Sequence, residues 1–268
     1  MNLIDSAIAD FYANSNEETR LQTGLGPLEF ERNKTLIRQY LSGTQLQIAD
    51  IGGGTGHYSS WLAGHGHKVT LIDPVSKHIE KAKRKPGSFR AVVGEARKLP
   101  LEHSSMDVAI LHGPLYHLQH QNERILALKE ARRILRPGGM ILGFAITRSA
   151  SVLAALHNGM IHHPAIFDMC CTELLSGEHH APPEIKGVLS TAYYHRPEEL
   201  VFEFQAAGFI INGLHAVEGM AWMDAQFFQS WHDPQRKALL LELIKITDQD
   251  PFLLCLSPHM MIAADFEI

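Results

Sequence analysis

Cysteine is scarce in this chain: three in 268 residues, with Cys170 and Cys171 adjacent and Cys255 far away. The count is odd and no CxxC pair exists, which argues against both a disulfide framework and a zinc knuckle. A reducing, cytoplasmic setting fits this usage. No apolar run approaches the ~20 residues that cross a bilayer. The opening MNLIDSAIADFY lacks the basic and apolar stretches of a secretion signal, so no membrane role is expected. Positive charge is not in excess either. Lys and Arg number 24 against 29 Asp and Glu, a formal net charge of −5. A duplex-gripping protein shows a broad basic surface, so nucleic acid is a disfavoured partner, with a small RNA target left open. The one dense basic stretch, from Lys77 to Lys85, contains Glu80 and reads as the solvated face of a helix. There is no internal repeat and no low-complexity tract. What is present is an ordinary globular composition, 45% hydrophobic and 20% charged. It is long enough for one large α/β domain with insertions.

The first half of the chain alternates strand and helix patterns. Residues 47–52 read as a strand, 56–63 as a helix, 68–73 as a strand, 76–84 as a helix and 89–94 as a strand. Residues 106–111 form an apolar fourth strand. Ile125, Leu128, Ala131 and Leu135 recur at helical spacing over 122–135. Pro137, Gly138 and Gly139 stop that helix before a fifth strand at 140–146. Such alternation signals a doubly wound, mostly parallel sheet with helices on both faces. From 148 to 194 the chain is rich in His, Pro, Gly, Met and Cys without a clear strand, and reads as a mostly helical insertion. A helix at 197–207, stopped by Gly208, precedes a strand at 209–217. A second non-sheet stretch, 218–257, holds a helix around 235–246, and 259–265 is a final apolar strand. Before Asn33 a helical segment is broken at Gly24 and Gly26.

The sharpest motif is Asp50-Ile51-Gly52-Gly53-Gly54-Thr55-Gly56, which leaves a strand and enters a helix. Glycines there allow a tight turn and close approach to a ligand. The crevice beyond such strand ends is where open α/β sheets bind ligands. A dinucleotide dehydrogenase wants GxGxxG, but its third glycine would fall on His57. Asp73, at the end of the second strand, is placed to accept hydrogen bonds from two ribose hydroxyls, with Pro74 beside it.

The DxGxGxG spacing resembles the first motif of the class I S-adenosylmethionine-dependent methyltransferases. The resemblance continues for about a hundred residues. GEARKLPLEHSSMDVAIL is similar to the family's GDAxxLPFxxxSFDxV, and ARRILRPGGMIL to its RVLKPGG segment. It implies that Glu95, where the family commonly has Asp, accepts from the adenine amine, and that the Ala96 amide donates to a ring nitrogen. Asp50, Gly52, Gly53, Gly54 and Gly56 would form the cofactor loop. The string GPLYHL resembles a bacterial small-molecule-type subgroup, and the family's methyl site lies just after this fourth strand. His112 and His117 are therefore candidates for proton removal or, for His112, cofactor contact, and Tyr116 for orienting a substrate. His195 begins a helix after the insertion and is a further candidate. FYANSNEETRL resembles the start of the same subgroup, which places Tyr12 near the sulfonium and Arg20 on the methionine carboxylate. Each of these also has a plain reading as a cap, packing or surface residue.

The resemblance implies a Rossmann-like seven-stranded sheet whose last strand is reversed. Residues 1–268 are expected to form a single domain, with a cap from 1–32, 148–194 and 218–257. Phe167, Met169, Met220, Trp222, Met223, Phe227, Phe228 and Trp231 are candidates to line a small-molecule pocket there. The pairs His162-His163 and His179-His180 are adjacent, and neighbours rarely chelate one ion together, so no metal is expected. The expected function is methyl transfer from S-adenosylmethionine to a small molecule by in-line displacement, releasing S-adenosylhomocysteine. Two rivals stand beside it: a methyltransferase acting on protein or RNA, and a non-catalytic S-adenosylmethionine-binding module.

Overall fold

Short aliphatic runs set between glycine turns are the strands of the computed structural model, which describes residues 18–185 and 188–266. Helix α1 (Gly26–Tyr40) precedes β1 (Gln47–Ile51), α2 (His57–Gly64), β2 (Lys68–Asp73), α3 (Ser76–Ala82) and β3 (Arg90–Val93). Then come β4 (Met106–Leu111), the single turn α4 (Pro114–His117), α5 (Gln121–Ile134) and β5 (Leu135–Ile146). The second half holds α6 (Ala150–Asn158), α7 (Pro164–Ser176), β6 (Glu178–His180), β7 (Thr191–Tyr193) and α8 (Pro197–Ala206). It closes with β8 (Ile210–Ala216), α9 (Phe227–His232), α10 (Pro234–Thr247) and β9 (His259–Asp265).

Seven strands form one sheet in the order β3-β2-β1-β4-β5-β9-β8. Strands β1 to β5 pair in parallel, and β9 runs antiparallel between β5 and β8. Strands β1 and β4 are central and covered on both faces, which is why Ile48, Ala49, Ile51 and the run Val108, Ala109, Ile110 and Leu111 are all buried. One face packs on Leu128 and Ala131 of α5 and Leu200 and Phe204 of α8. The other packs on Leu36 and Ile37 of α1 and Tyr58 and Leu62 of α2. The order reverses at β1 and β4, so the chains leaving their carboxyl ends diverge and open a crevice.

Several elements depart from the sequence reading. Gly26 begins α1 instead of breaking a helix, and the helix runs on past Asn33 to Tyr40. A side chain at Gly26 would come within 2.2 Å of the Arg20 carbonyl, so glycine lets the turn Arg20–Gln22 pack against the helix start. Pro27 is tolerated because the first-turn N–H groups have no partner inside the helix. The insertion holds α6 and α7 but also the antiparallel pair β6–β7, too short for its alternation to register. His179 of β6 turns inward, with Nδ1 at 2.6 Å from Glu173 and its ring stacked 4.9 Å from Tyr194. None of the aromatic and apolar residues of the two insertions that were candidates for a pocket lines the one at the carboxyl ends of the strands. Trp222 and Phe227 instead cluster with Leu28 of α1 and Ile244 of α10, while Phe167, Met223 and Phe228 are exposed. Tyr12 lies outside the described residues.

Candidate active site

The loop after β1 is shaped by what lies beneath it. Gly52 has φ +75°, and a Cβ there would sit 2.8 Å from Pro114 Cδ. A Cβ on Gly53 would lie 2.6 Å from the Asp50 carboxylate. Asp50 itself is fully buried under the loop and does not line the pocket. Its Oδ2 accepts from Ser59 Oγ at 2.6 Å, and its Oδ1 lies 2.9 Å from His112 Nδ1. Asp50 thus lies beneath the loop and does not face the pocket. Gly56 precedes α2 with φ +84° and faces Ala82 and Phe89 behind the loop.

Asp73 ends β2 at the pocket edge. Oδ2 accepts from the Gly54 amide at 2.9 Å, and Oδ1 from the Val75 amide at 2.9 Å. His78 Nδ1 lies 3.0 Å from the same Oδ1. These contacts fix the carboxylate against the glycine loop, facing the crevice with Pro74. Further along, Gly94, Glu95 and Ala96 form the next part of the wall. Glu95 Oε2 accepts from the Arg97 amide at 3.0 Å and from Arg97 Nε at 2.9 Å, so its longer side chain is tied down.

The turn after β4 brings His112, Tyr116 and His117 to the same pocket. The His112 ring is clamped between Tyr58, stacked at 4.1 Å, and Phe144, stacked at 4.7 Å. Tyr116 Oη donates to the His112 carbonyl at 2.8 Å, which closes the turn. Burial, with His78 nearby, pushes the His117 imidazole down to about 4. His195 is not part of this site. It is 0% exposed, with Nε2 3.3 Å from Glu203 Oε2, in a buried group with Arg124 that ties α5 to α8. Its backbone pairs with Thr147 at the end of β5, and that spends the residue on packing.

The far wall was not legible from the motifs. It comes from α1 and β9: Glu29, Asn33 and His259, with Arg20 beside them. Arg20 does reach the pocket, but its fork lies on Glu29, with Nη1 at 2.6 Å and Nη2 at 3.0 Å. Burial opposes charge on Glu29, yet the Arg20 guanidinium holds its carboxyl below the usual range. Burial would likewise lower His259, but Glu218 at 2.7 Å outweighs it and raises the imidazole to about 9. Asn33 Nδ2 donates to Tyr58 Oη at 2.8 Å, which steadies the clamp on His112. The available signal is the i, i+4 pair Glu29 and Asn33 on one face of α1, which a helix break at Gly26 conceals in the sequence.

Among the described residues, Glu29, Glu218 and His259 are the one group with metal-ligand spacing. Their donors are already engaged. Arg20 occupies Glu29, and Glu218 Oε2 accepts from Ser257 Oγ at 2.9 Å and the His259 amide at 3.0 Å. A proton on His259 takes the place of the lone pair a metal would need.

Comparison with known proteins agrees with this geometry. Residues 49–143 match the methyltransferase domain family. The chain is 30% identical over 175 residues to a ubiquinone/menaquinone biosynthesis C-methyltransferase of Campylobacter jejuni, covering 61% of this chain and 70% of that one. This chain belongs to the class I S-adenosylmethionine-dependent methyltransferases. It is also 30% identical over 124 residues to a malonyl-[acyl-carrier protein] O-methyltransferase of Erwinia pyrifoliae, 46% of each chain. The match thus spans less than half the length of that relative. In fold it is similar to an S-adenosylmethionine-dependent methyltransferase of Methanosarcina mazei, with TM-score 0.60, 22% identity and coverage of 87% and 97%. A [4+2]-cyclase, SpnF, shares the fold at TM-score 0.54 and 15% identity, covering 90% of this chain and 81% of its own.

As in the rest of the class I methyltransferases, the cofactor is S-adenosylmethionine, and the pocket fits it by three tests. The loop from Gly52 to Gly54 leaves no room for a side chain at two of its positions. The Asp73 carboxylate faces the crevice from the end of β2. His112 Nε2 is a buried polar atom with no hydrogen-bond partner. Among the described residues no helix is long and apolar enough to cross a membrane.

Proposed function

We propose that this chain transfers the methyl group of S-adenosylmethionine to a small-molecule acceptor. The observation that carries the reading is the shape of the pocket. It runs from Asp73 and Glu95 past the glycine loop and His112 to a separate polar wall of Glu29, Asn33 and His259. The two walls differ in chemistry, a ribose- and adenine-facing side at Asp73 and Glu95 and a polar side at Glu29, Asn33 and His259 that suits a second, small polar molecule.

The bound cofactor supplies a methyl group already activated on a sulfonium. The protein's part is to hold the acceptor close and in line, the largest contribution that positioning alone can make. Asp73 holds the ribose hydroxyls, with Pro74 beside it. Glu95 and the Ala96 amide hold the adenine, and Gly52, Gly53 and Gly54 admit the cofactor to the strand end. Arg20, clasped by Glu29, stands nearest the methionine end. Tyr116 and His117 orient the acceptor. The fold is shared with a cyclase, so it does not by itself decide the reaction.

The test pairs binding with turnover. Calorimetry is expected to give clear S-adenosylmethionine and S-adenosylhomocysteine binding and none with NADH, because His57 replaces the third glycine of the dinucleotide fingerprint. A panel of hydroxyl, thiol and amine metabolites should release S-adenosylhomocysteine. Release only with protein or RNA acceptors overturns the small-molecule reading. Tight binding with no release from any acceptor class makes the chain a binding module.

A further inference from the structure

The buried pair Asp50 and His112 does more than support the glycine loop. Asp50 is 0% exposed and sits directly beneath Gly53, whose missing side chain is what gives its carboxylate room. A carboxylate offers lone pairs only, so the ring nitrogen 2.9 Å from Asp50 Oδ1 carries a hydrogen. That nitrogen is Nδ1. The second oxygen is taken by Ser59 Oγ, which stops the carboxylate from rotating away. Tyr58 and Phe144 stack on the two ring faces within 17° of parallel, so the imidazole cannot tilt. Nε2 is left on the far side of the ring from Asp50, buried and with no hydrogen-bond partner. A buried polar atom left unmatched is costly, and such an atom calls for an account.

We infer that Asp50 and His112 are a proton-accepting dyad. Asp50 fixes the Nδ1–H form of the imidazole, and Nε2 takes the proton of the acceptor at the methyl-transfer site. This rests on the function proposed above. The proton leaves an O–H, N–H or S–H of the acceptor for Nε2. The electron pair so freed forms the new bond to the methyl carbon, and the pair of the breaking carbon–sulfur bond stays on sulfur. Asp50 is the positioning residue, and His112 is the catalytic one. The groups that face the ring are Asp50 from β1, Tyr58 from α2, Phe144 from β5, and the Glu29 carboxylate of α1 acting on it through space. His117 lines the same pocket, but an imidazole held near 4 is a weak proton acceptor at neutral pH. His195 lies outside the pocket.

The tautomer is directly measurable without any acceptor. Long-range ¹H–¹⁵N correlation spectra of the full chain, with His112 assigned from the peaks lost in His112→Gln, read which nitrogen carries hydrogen. The expected result is a neutral His112 protonated at Nδ1 and bare at Nε2. In Asp50→Asn an amide can donate to Nδ1, so the population should move toward the Nε2–H form. A wild-type His112 with hydrogen on Nε2 and none on Nδ1 overturns the dyad, and that spectrum decides even if Asp50→Asn does not fold. Turnover with catechol, dithiothreitol or benzylamine at saturating S-adenosylmethionine gives the second readout. His112→Gln should lower kcat by about 10²–10⁴-fold and remove the rise of rate with pH that a base produces. Asp50→Asn should alter the same profile with a smaller loss. An unchanged profile in His112→Gln overturns the proposal. Failure of the wild type to bind S-adenosylhomocysteine overturns the function proposed above instead, and leaves the tautomer result standing.

Discussion

At the scale of single residues, the pocket carries carboxylates that neighbouring groups hold in fixed positions. Asp73 accepts from two backbone amides and faces His78, so its carboxylate is held in place at the pocket edge, as the proposed ribose contact requires. Hydrogen bonds to a charged group contribute ~1.5–3 kcal/mol each. Asp73→Ala should therefore weaken S-adenosylhomocysteine binding more than tenfold in calorimetry, and a folded variant with unchanged affinity removes Asp73 from the site. Two histidines give stability an opposite dependence on pH. His259 is raised from its ordinary 6.5 to about 9 by Glu218. Its contribution is complete below pH 6.5 and is lost as pH rises toward 9. His117 is lowered from 6.5 to about 4, so its contribution is complete above pH 6.5 and is lost as pH falls toward 4. Thermal unfolding followed across pH should fall at both ends. Glu218→Gln should flatten the alkaline limb alone, and an unchanged alkaline limb in that variant would remove the His259–Glu218 pair as its cause.

At the scale of elements, the β1–α2 turn is set by the side chain beneath it. The turn needs a residue with no Cβ over Asp50, and Gly53 is that residue. Forcing atoms into a packed site costs typically 1–3 kcal/mol, so Gly53→Ala should lose about that much stability in urea titrations. It should also disturb the Asp50–His112 contact, visible in the same histidine spectra. A Gly53→Ala variant of unchanged stability and unchanged spectra means that the loop sits further from Asp50. The elements of the central sheet were readable because their patterns are local: β2, β4 and β9 fall on the expected residues 68–73, 106–111 and 259–265. The start of the N-terminal helix is not legible because Gly26 reads as a breaker in isolation. Only the packed turn at Arg20–Gln22 shows why it starts a helix.

At the scale of the whole molecule, buried ion pairs join segments that are distant in sequence. Arg124 of α5 holds Glu203 of α8 with Nε at 3.0 Å and Nη2 at 2.7 Å, and its guanidinium stacks 3.7 Å over Tyr193 of β7. Arg32 of α1 likewise holds Asp248, at 2.8 Å, after α10. Removing one partner of such a pair leaves an uncompensated buried charge, at about 3–5 kcal/mol. Arg124→Ala should show that loss in urea unfolding, whereas Arg124→Met with Glu203→Leu should recover most of it. Equal losses in both variants would mean that packing, not charge, joins α5 to α8. His195 belongs to this joint, which is why its place at a helix start beside the insertion was misleading.

The sequence by itself determined the sheet, the glycine loop, Asp73, Glu95 and the turn carrying His112 and His117. Each is written in a contiguous stretch, where spacing along the chain is also spacing in space. The tertiary structure alone decided which side chains share the pocket. Glu29 and His259 lie 230 positions apart and meet because β9 inserts beside β5 while α1 crosses the sheet face. The same packing took Asp50, Gly56 and His195 out of the pocket and gave Asp50 a histidine partner 62 residues away. Long-range partnership of this kind is fixed by how layers stack, and no periodicity in the chain records it.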